Sequence, residues 1–277
     1  MAATNALEPI EGTEGTRRPI VAHHFNNLLQ QQASVRFGMW LFLATELLFF
    51  GGVICAYTVY RIWFPKDFEA ASTALNPLIA GINSFLLLTS SFTCTLAIRA
   101  AYEGKQGMLK TWLAATILLG VTFLGFKAFE YYTDYKEGLI PSNKLVYNDP
   151  RSHNSQSTTV HQTGNTTEFA HNLEHVLKDK EYYKDGKNLG EVNLDRCRLF
   201  FVFYYAMTGL HVLHMVIGIG LFTWQYILAS LGFFVPQERY VYVEVLALYW
   251  HFVELVWIFL LPLLYMAGHH NFANLGF

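Results

Sequence analysis

Five stretches of this sequence stay apolar for the roughly 20 residues that a helix needs to cross the hydrocarbon core of a bilayer. They run over 37–63, 77–98, 111–132, 199–228 and 240–266. Lipid offers no hydrogen bonds, so a spanning segment must satisfy its backbone internally, which a helix does. The chain is therefore predicted to be an all-α membrane protein, a five-transmembrane-helix bundle. Composition agrees, because only 14% of the 277 residues are charged, against about 25% in an ordinary soluble domain. Tyr and Trp gather at the predicted span ends, at Tyr57, Tyr60, Trp63, Tyr131, Tyr132, Tyr240 and Tyr242, as an interfacial aromatic belt would.

The connections 64–76, 99–110 and 229–239 are short, and one, 133–198, is long. That segment is polar, with SHNSQSTTVHQTGNTT at its middle, and is read as a long extramembrane loop. Within it, Phe169, Leu173, Val176 and Leu177 fall on one face of a short amphipathic helix expected over 168–182. The expected organisation is a polar tail over 1–33, a membrane domain over 34–268 interrupted by the loop, and a short tail over 269–277. Residues 1–33 lack the apolar core of a cleavable signal, so the first span is read as the insertion signal. Arg17, Arg18, Arg36, Arg99, Lys105, Lys110 and Arg239 fall on the N-terminal side. Arg61, Lys66, Lys136, Arg196 and Arg198 fall on the other. The bias predicts a cytoplasmic N-terminus, with the loop and the C-terminus outside. The net charge of −2 points to no nucleic-acid partner, and Cys55, Cys94 and Cys197 lie too far apart for a zinc motif.

Ionisable residues inside a span mark function by default, because lipid penalises them. Glu46 lies about 15 Å along the helix from Arg36, close to mid-membrane. Two readings stay open for it: a neutral carboxyl bonding a neighbouring helix, and a group that handles protons. Lys127, Glu130 and Asp134 follow an i, i+3, i+7 spacing and share a helix face. With Tyr131 and Tyr132 beside them, they are read as a surface ion-pair cluster that snorkels to the outer interface. His211 and His214 are i, i+3 neighbours, and Glu244, His251 and Glu254 follow in the last span. These five suit either a metal site between helices or polar contacts between helices and to lipid. Only the reversed pair His251-x-x-Glu254 is present in a span, where a di-iron bundle wants Glu-x-x-His. Gly51, Gly52, Gly209, Gly218 and Gly220 are expected to let helices approach closely. The loop histidines His153, His161, His171 and His175 are read as solvated.

Four segments, in order, carry a resemblance: RFGMWLFLATELLFFGG, FLGFKAFEYY, TGLHVLHMVIG and ALYWHFVELVWIFLLPLLY. Together they resemble subunit III of the haem–copper terminal oxidases, over about residues 33–268 outside the loop. The resemblance implies an accessory subunit with no haem or copper of its own. Those centres belong to subunits I and II, which reduce oxygen to water and pump protons. It implies packing against subunit I, bound phospholipid, and support of proton uptake in a bacterial cytoplasmic membrane. The family's carbodiimide-reactive carboxylate matches Glu46. Its lipid- and helix-contacting polar positions match Glu130, His211, His214, Glu244 and His251. Many members have seven spans, and this chain is similar to the five-span bacterial form, which leans towards cytochrome c as donor. Lys127 stands where the family more often has glutamine. The loop resembles an insertion and is expected to dock subunit II, a donor complex or a small subunit. Alternatives are a subunit of a quinol oxidase or nitric oxide reductase, and a self-contained metal-dependent membrane oxidoreductase.

Overall fold

The structure, a computed structural model, describes residues 28–136, 139, 173, 194–234 and 239–266. Among them are six helices: α1 (Leu28–Trp63), α2 (Pro65–Thr73), α3 (Pro77–Tyr102), α4 (Gln106–Lys136), α5 (Leu194–Ser230) and α6 (Tyr240–Tyr265). All except α2 are long and apolar enough to cross a membrane, as expected. Several run past the apolar stretches. Polar residues at either end, such as Gln30 to Gln32 and Lys136, continue the helix beyond the lipid-soluble part. The helix expected over 168–182 lies outside the described residues except for Leu173, which is helical and buried.

Local chemistry sets the boundaries. Asn76 caps α3 by accepting from the Leu78 amide at 3.1 Å, and Pro77 occupies the first helical position, where its missing N–H costs nothing. Gly104 ends α3 and Gly232 ends α5, at φ 70° and 74°. In each turn the two amides after the cap return to carbonyls of the last helical turn, Lys105 to Ala100 and Phe233 to Leu228 at 3.0 Å. Only glycine takes that left-handed conformation without strain. Outside the spans, Glu103 lies 2.8 Å from both Arg99 and Lys105. The hydrogen bonds donated by Lys105 and Arg99 hold its carboxyl down to about 2.

α6 is the hub. It packs on α3, α5 and α1, while α4 joins α3 to α5 around it. Half of its apolar window is buried, against 11% for α1, which lies at the edge. α2 occupies the connection 64–76 that the sequence suggests is merely short. Phe68, Ala70 and Ala71 are fully buried on it, and it packs against α5. Arg196 reaches the Asp67 carboxylate at 3.6 Å, and the Cys197 thiol donates to the Asp67 carbonyl at 3.2 Å.

The Trp250 indole of α6 is wedged between two glycines. A Cβ built on Gly120 of α4 or on Gly218 of α5 would come within 2.9 Å of that ring. Gly218 is thus one glycine at which close approach is required, and Gly120 is a second that the sequence reading did not single out. Gly51, Gly52, Gly209 and Gly220 instead face open space, with nothing within 4 Å of a built Cβ. Gly218→Ala should therefore cost about 1–3 kcal/mol through overpacking against a rigid ring. Gly220→Ala should be neutral or slightly stabilising, as the two variants' thermal unfolding in the purified complex would show.

Candidate functional site

The intramembrane polar residues sort into four separate clusters, each tying two or more helices. The first joins α1 to α5. Glu46 Oε2 lies 3.1 Å from His214 Nε2, and His214 Nδ1 lies 2.8 Å from the Leu210 carbonyl. A carbonyl only accepts, so Nδ1 carries a proton. Two states remain for the other nitrogen. Either neutral Nε2 accepts from a protonated Glu46, or an imidazolium donates through Nε2 to the carboxylate. In both, a single proton lies between Nε2 and Oε2. Phe50 packs on the His214 ring at a centroid distance of 5.1 Å. The Tyr249 hydroxyl donates to the His214 carbonyl at 2.9 Å. Glu46 keeps 20% of its side chain exposed and His214 12%, so the pair sits at the rim of the bundle.

The second cluster overturns the snorkelling reading. Lys127, Glu130 and Asp134 are 1%, 6% and 6% exposed. They turn into the bundle, with about 14 Å of helical rise between Lys127 and the end of α4. Lys127 Nζ donates to Glu130 Oε2 and to the Tyr265 hydroxyl, both at 2.8 Å. Glu130 Oε1 accepts from Tyr265 at 2.7 Å and from Tyr204 at 3.1 Å. Tyr131, Tyr204, Trp257 and Tyr265 place their ring centroids 4.9 to 5.5 Å from the ammonium, within cation–π range. The Tyr205 hydroxyl reaches Asp134 at 3.4 Å. Periodicity correctly puts the three α4 charges on one face. It does not say which way that face points, and the tyrosines at 131 and 132, read as interfacial, suggest the wrong answer: Tyr132 is exposed, but Tyr131 turns inward to bond Thr208. Tyr204 and Tyr265 were missed because their signal is only an aromatic near a span end.

In the third cluster Glu244 receives Arg36 Nη2 at 2.8 Å and Nε at 3.3 Å, a forked contact from α1 to α6. Arg36 also donates to the Tyr240 hydroxyl at 3.2 Å. In the fourth, Ser90 of α3 meets Glu254 Oε1 at 2.6 Å and accepts from Trp250 Nε1 at 3.0 Å. Glu254 is 4% exposed. His251 hydrogen-bonds a backbone group of Ser91 on the same side. The residues of the metal alternative therefore do not converge. His214 turns to α1, Glu244 to Arg36, and Glu254 and His251 to α3. No group of three or more His, Cys, Asp or Glu able to hold a metal ion occurs among the described residues.

His211 stands apart. It is fully buried between Phe123 and Trp257, with ring centroids 5.7 and 5.0 Å away. Neither ring nitrogen has a hydrogen-bond partner among the described residues. A buried polar group left so costs about 1–3 kcal/mol.

The buried ion pair gives a direct test. Removing the cation alone strands a buried carboxylate, which costs about 3–5 kcal/mol. Lys127→Met should therefore lower the melting temperature of the assembled protein markedly, and Lys127→Met with Glu130→Leu should recover much of the loss. A double variant no better than the single would show that Glu130 does not need the ammonium.

The model of the family described as "Cytochrome c oxidase subunit III" matches residues 18–136 and 197–269. The interval it skips is the long polar connection. A "Probable cytochrome c oxidase subunit 3" from Nocardia farcinica is 26% identical, over 92% of this chain and 97% of its own length. A "Probable quinol oxidase subunit 3" from Staphylococcus haemolyticus is 25% identical, over 84% of this chain and 89% of its own. The "Cytochrome c oxidase subunit 3" of Loxodonta africana is 28% identical, over 93% of this chain but 76% of its own length. With five apolar spans and a family model that matches most of its length, this multi-pass membrane protein belongs to the cytochrome c oxidase subunit III family, a subunit of the haem–copper terminal oxidases.

Proposed function

We propose that this chain is the accessory subunit III of a proton-pumping cytochrome c oxidase in a bacterial cytoplasmic membrane. It packs against the subunit that carries haem and copper, binds phospholipid, and supports proton uptake without redox chemistry of its own. The observation that carries this reading is the Glu46–His214 pair. It is a one-proton hydrogen bond near mid-membrane, at the bundle rim, on a helix whose outer face is left uncovered by the described residues. Phe37, Trp40, Leu41, Leu47 and Leu48 of α1 are each 59% exposed or more, a surface suited to acyl chains or to helices of a partner subunit. The basic residues Arg36, Arg99, Lys105, Lys110 and Arg239 support a cytoplasmic N-terminus, which leaves the loop 133–198 outside as a docking segment.

A quinol oxidase is the second reading, favoured by the relative with that name in its own title. Purification through this chain discriminates the two. A partner with a cytochrome c docking surface, and turnover with reduced cytochrome c, support the first. Turnover with quinol alone replaces it with the second, and nitric oxide reduction without oxygen reduction replaces both. Deleting residues 143–187 should weaken assembly or donor coupling, whereas unchanged stability and turnover remove the docking role.

Glu46→Gln separates the bond from the proton. The glutamine amide can still donate to His214 Nε2, so assembly and oxygen reduction should persist. Proton pumping, or the number of turnovers before inactivation, should fall. Full coupling and an unchanged lifetime would leave Glu46 as a structural contact only.

A further inference from the structure

Both ring nitrogens of His214 are committed, Nδ1 to the Leu210 carbonyl at 2.8 Å and Nε2 to Glu46 at 3.1 Å. The first bond ties the ring to its own helix, so the imidazole is not free to swing after Glu46. Whether the two meet then depends on where α5 stands relative to α1 at this depth. Those two helices touch each other sparingly, and each rests more extensively on α6. The spacing between them is therefore set from α6.

Tyr249 is an α6 residue that touches both at this level. Its hydroxyl donates to the His214 carbonyl at 2.9 Å, so it grips α5 at the residue whose ring reaches Glu46. Its ring centroid lies 6.2 Å from that of Phe42, one turn before Glu46 on α1. An edge atom of the same ring would lie 3.3 Å from a Cβ built on Gly218, one turn after His214 on α5. Phe252 makes a second contact from α6, against Phe50 at 6.4 Å, and Phe50 packs on the His214 ring at 5.1 Å. Ring contacts of that kind fix distance but not direction, whereas the Tyr249 hydrogen bond fixes both. The titratable groups that face Glu46 are His214 from α5 and Tyr249 from α6, with His211 beside His214. A phenol has one proton to donate. That of Tyr249 is spent on the His214 carbonyl, which leaves none for Glu46.

We propose that Tyr249 is the positioning residue of the Glu46–His214 pair. Its hydroxyl holds α5 in rotation and height, its ring spaces α1, and together they bring Nε2 and the carboxyl within one hydrogen bond. Its importance rests on the reading of that pair as the functional site. The arrangement itself is tested separately, because the measurement below reads only the chemistry of the carboxyl, whereas that reading fails on full coupling in Glu46→Gln.

The measurement is the rate at which a hydrophobic carbodiimide labels Glu46 in the intact oxidase complex, followed by mass spectrometry across a pH series. The reagent takes up the carboxyl proton as it bonds the oxygen, and a proton shared with His214 is held back from it. Tyr249→Phe keeps the ring against Phe42 and Gly218 and removes only the hydroxyl. It should label several-fold faster than the unaltered protein, with a displaced pH profile. Ser84→Ala removes the acceptor of the Trp257 indole on the α3 side of α6. It should lower the melting temperature and leave the labelling rate and profile as they were. An unchanged or slower rate in Tyr249→Phe overturns the proposal. So does an equal increase in Ser84→Ala, because the hydroxyl would then be one interhelical bond among many.

Discussion

In hydrocarbon, apolar helix surfaces gain little by meeting, because lipid tails are as apolar as leucine. Association depends on close fit and on polar groups that lipid cannot serve. The structure shows both devices converging on α6. Trp250 supplies the fit, seated against the bare backbones of Gly120 and Gly218. The polar ties surround it. Gln225 of α5 donates to the Tyr242 carbonyl at 2.6 Å, and Arg36 of α1 forks onto Glu244. Trp250 and Trp257 each donate to a serine of α3 at 3.0 Å. At the far end of α6, the Leu263 carbonyl is among the last that a helix leaves without an internal partner. It accepts from Tyr57 at 2.9 Å and Arg61 at 3.4 Å, a cation where the helix dipole favours one. Each spanning helix thus meets α6 through at least one bond or ring contact that lipid could not replace.

This arrangement explains which features were legible in the sequence. The five spans were, because length and apolarity are local properties and bilayer thickness is fixed. The placement of Glu46 inside an apolar span was too, since that is read from its neighbours in sequence. The direction of a polar face was not. Lys127, Glu130 and Asp134 have a spacing that fits a lipid-interface stripe and a buried seam equally well, and only Tyr204 and Tyr265, far along the chain, decide between them. The partner of Glu244 was likewise out of reach, because Arg36 lies 208 positions away. The glycines show the same limit. A small residue permits close approach, but whether a neighbour takes up the space depends on a distant tryptophan.

The family membership and the geometry meet at the α1 edge. The least buried span carries the carboxyl of the one-proton pair, and the most buried carries the ring and ion contacts that hold the bundle. A carboxyl placed at the rim can be reached by lipid or by another subunit without disturbing the core. The clusters deeper inside, around Lys127 and Glu254, are enclosed by aromatic and hydroxyl side chains from three helices.

The junction of α4 and α5 has a consequence for the chain that joins them. α4 leaves the bundle at Lys136 and α5 enters it at Leu194. Just inside those points the two helices are already bonded, Tyr131 to Thr208 and Tyr205 to Asp134. Leu139, fully buried, returns its amide to the Asp134 carbonyl at 3.0 Å. The ends of the intervening segment are therefore pinned by the bundle itself. Closing a loop on fixed ends costs only about 0.6 kcal/mol more for each doubling of its length. Length added to that one connection therefore costs the membrane core little in closure entropy, and the helices that frame it can keep their register.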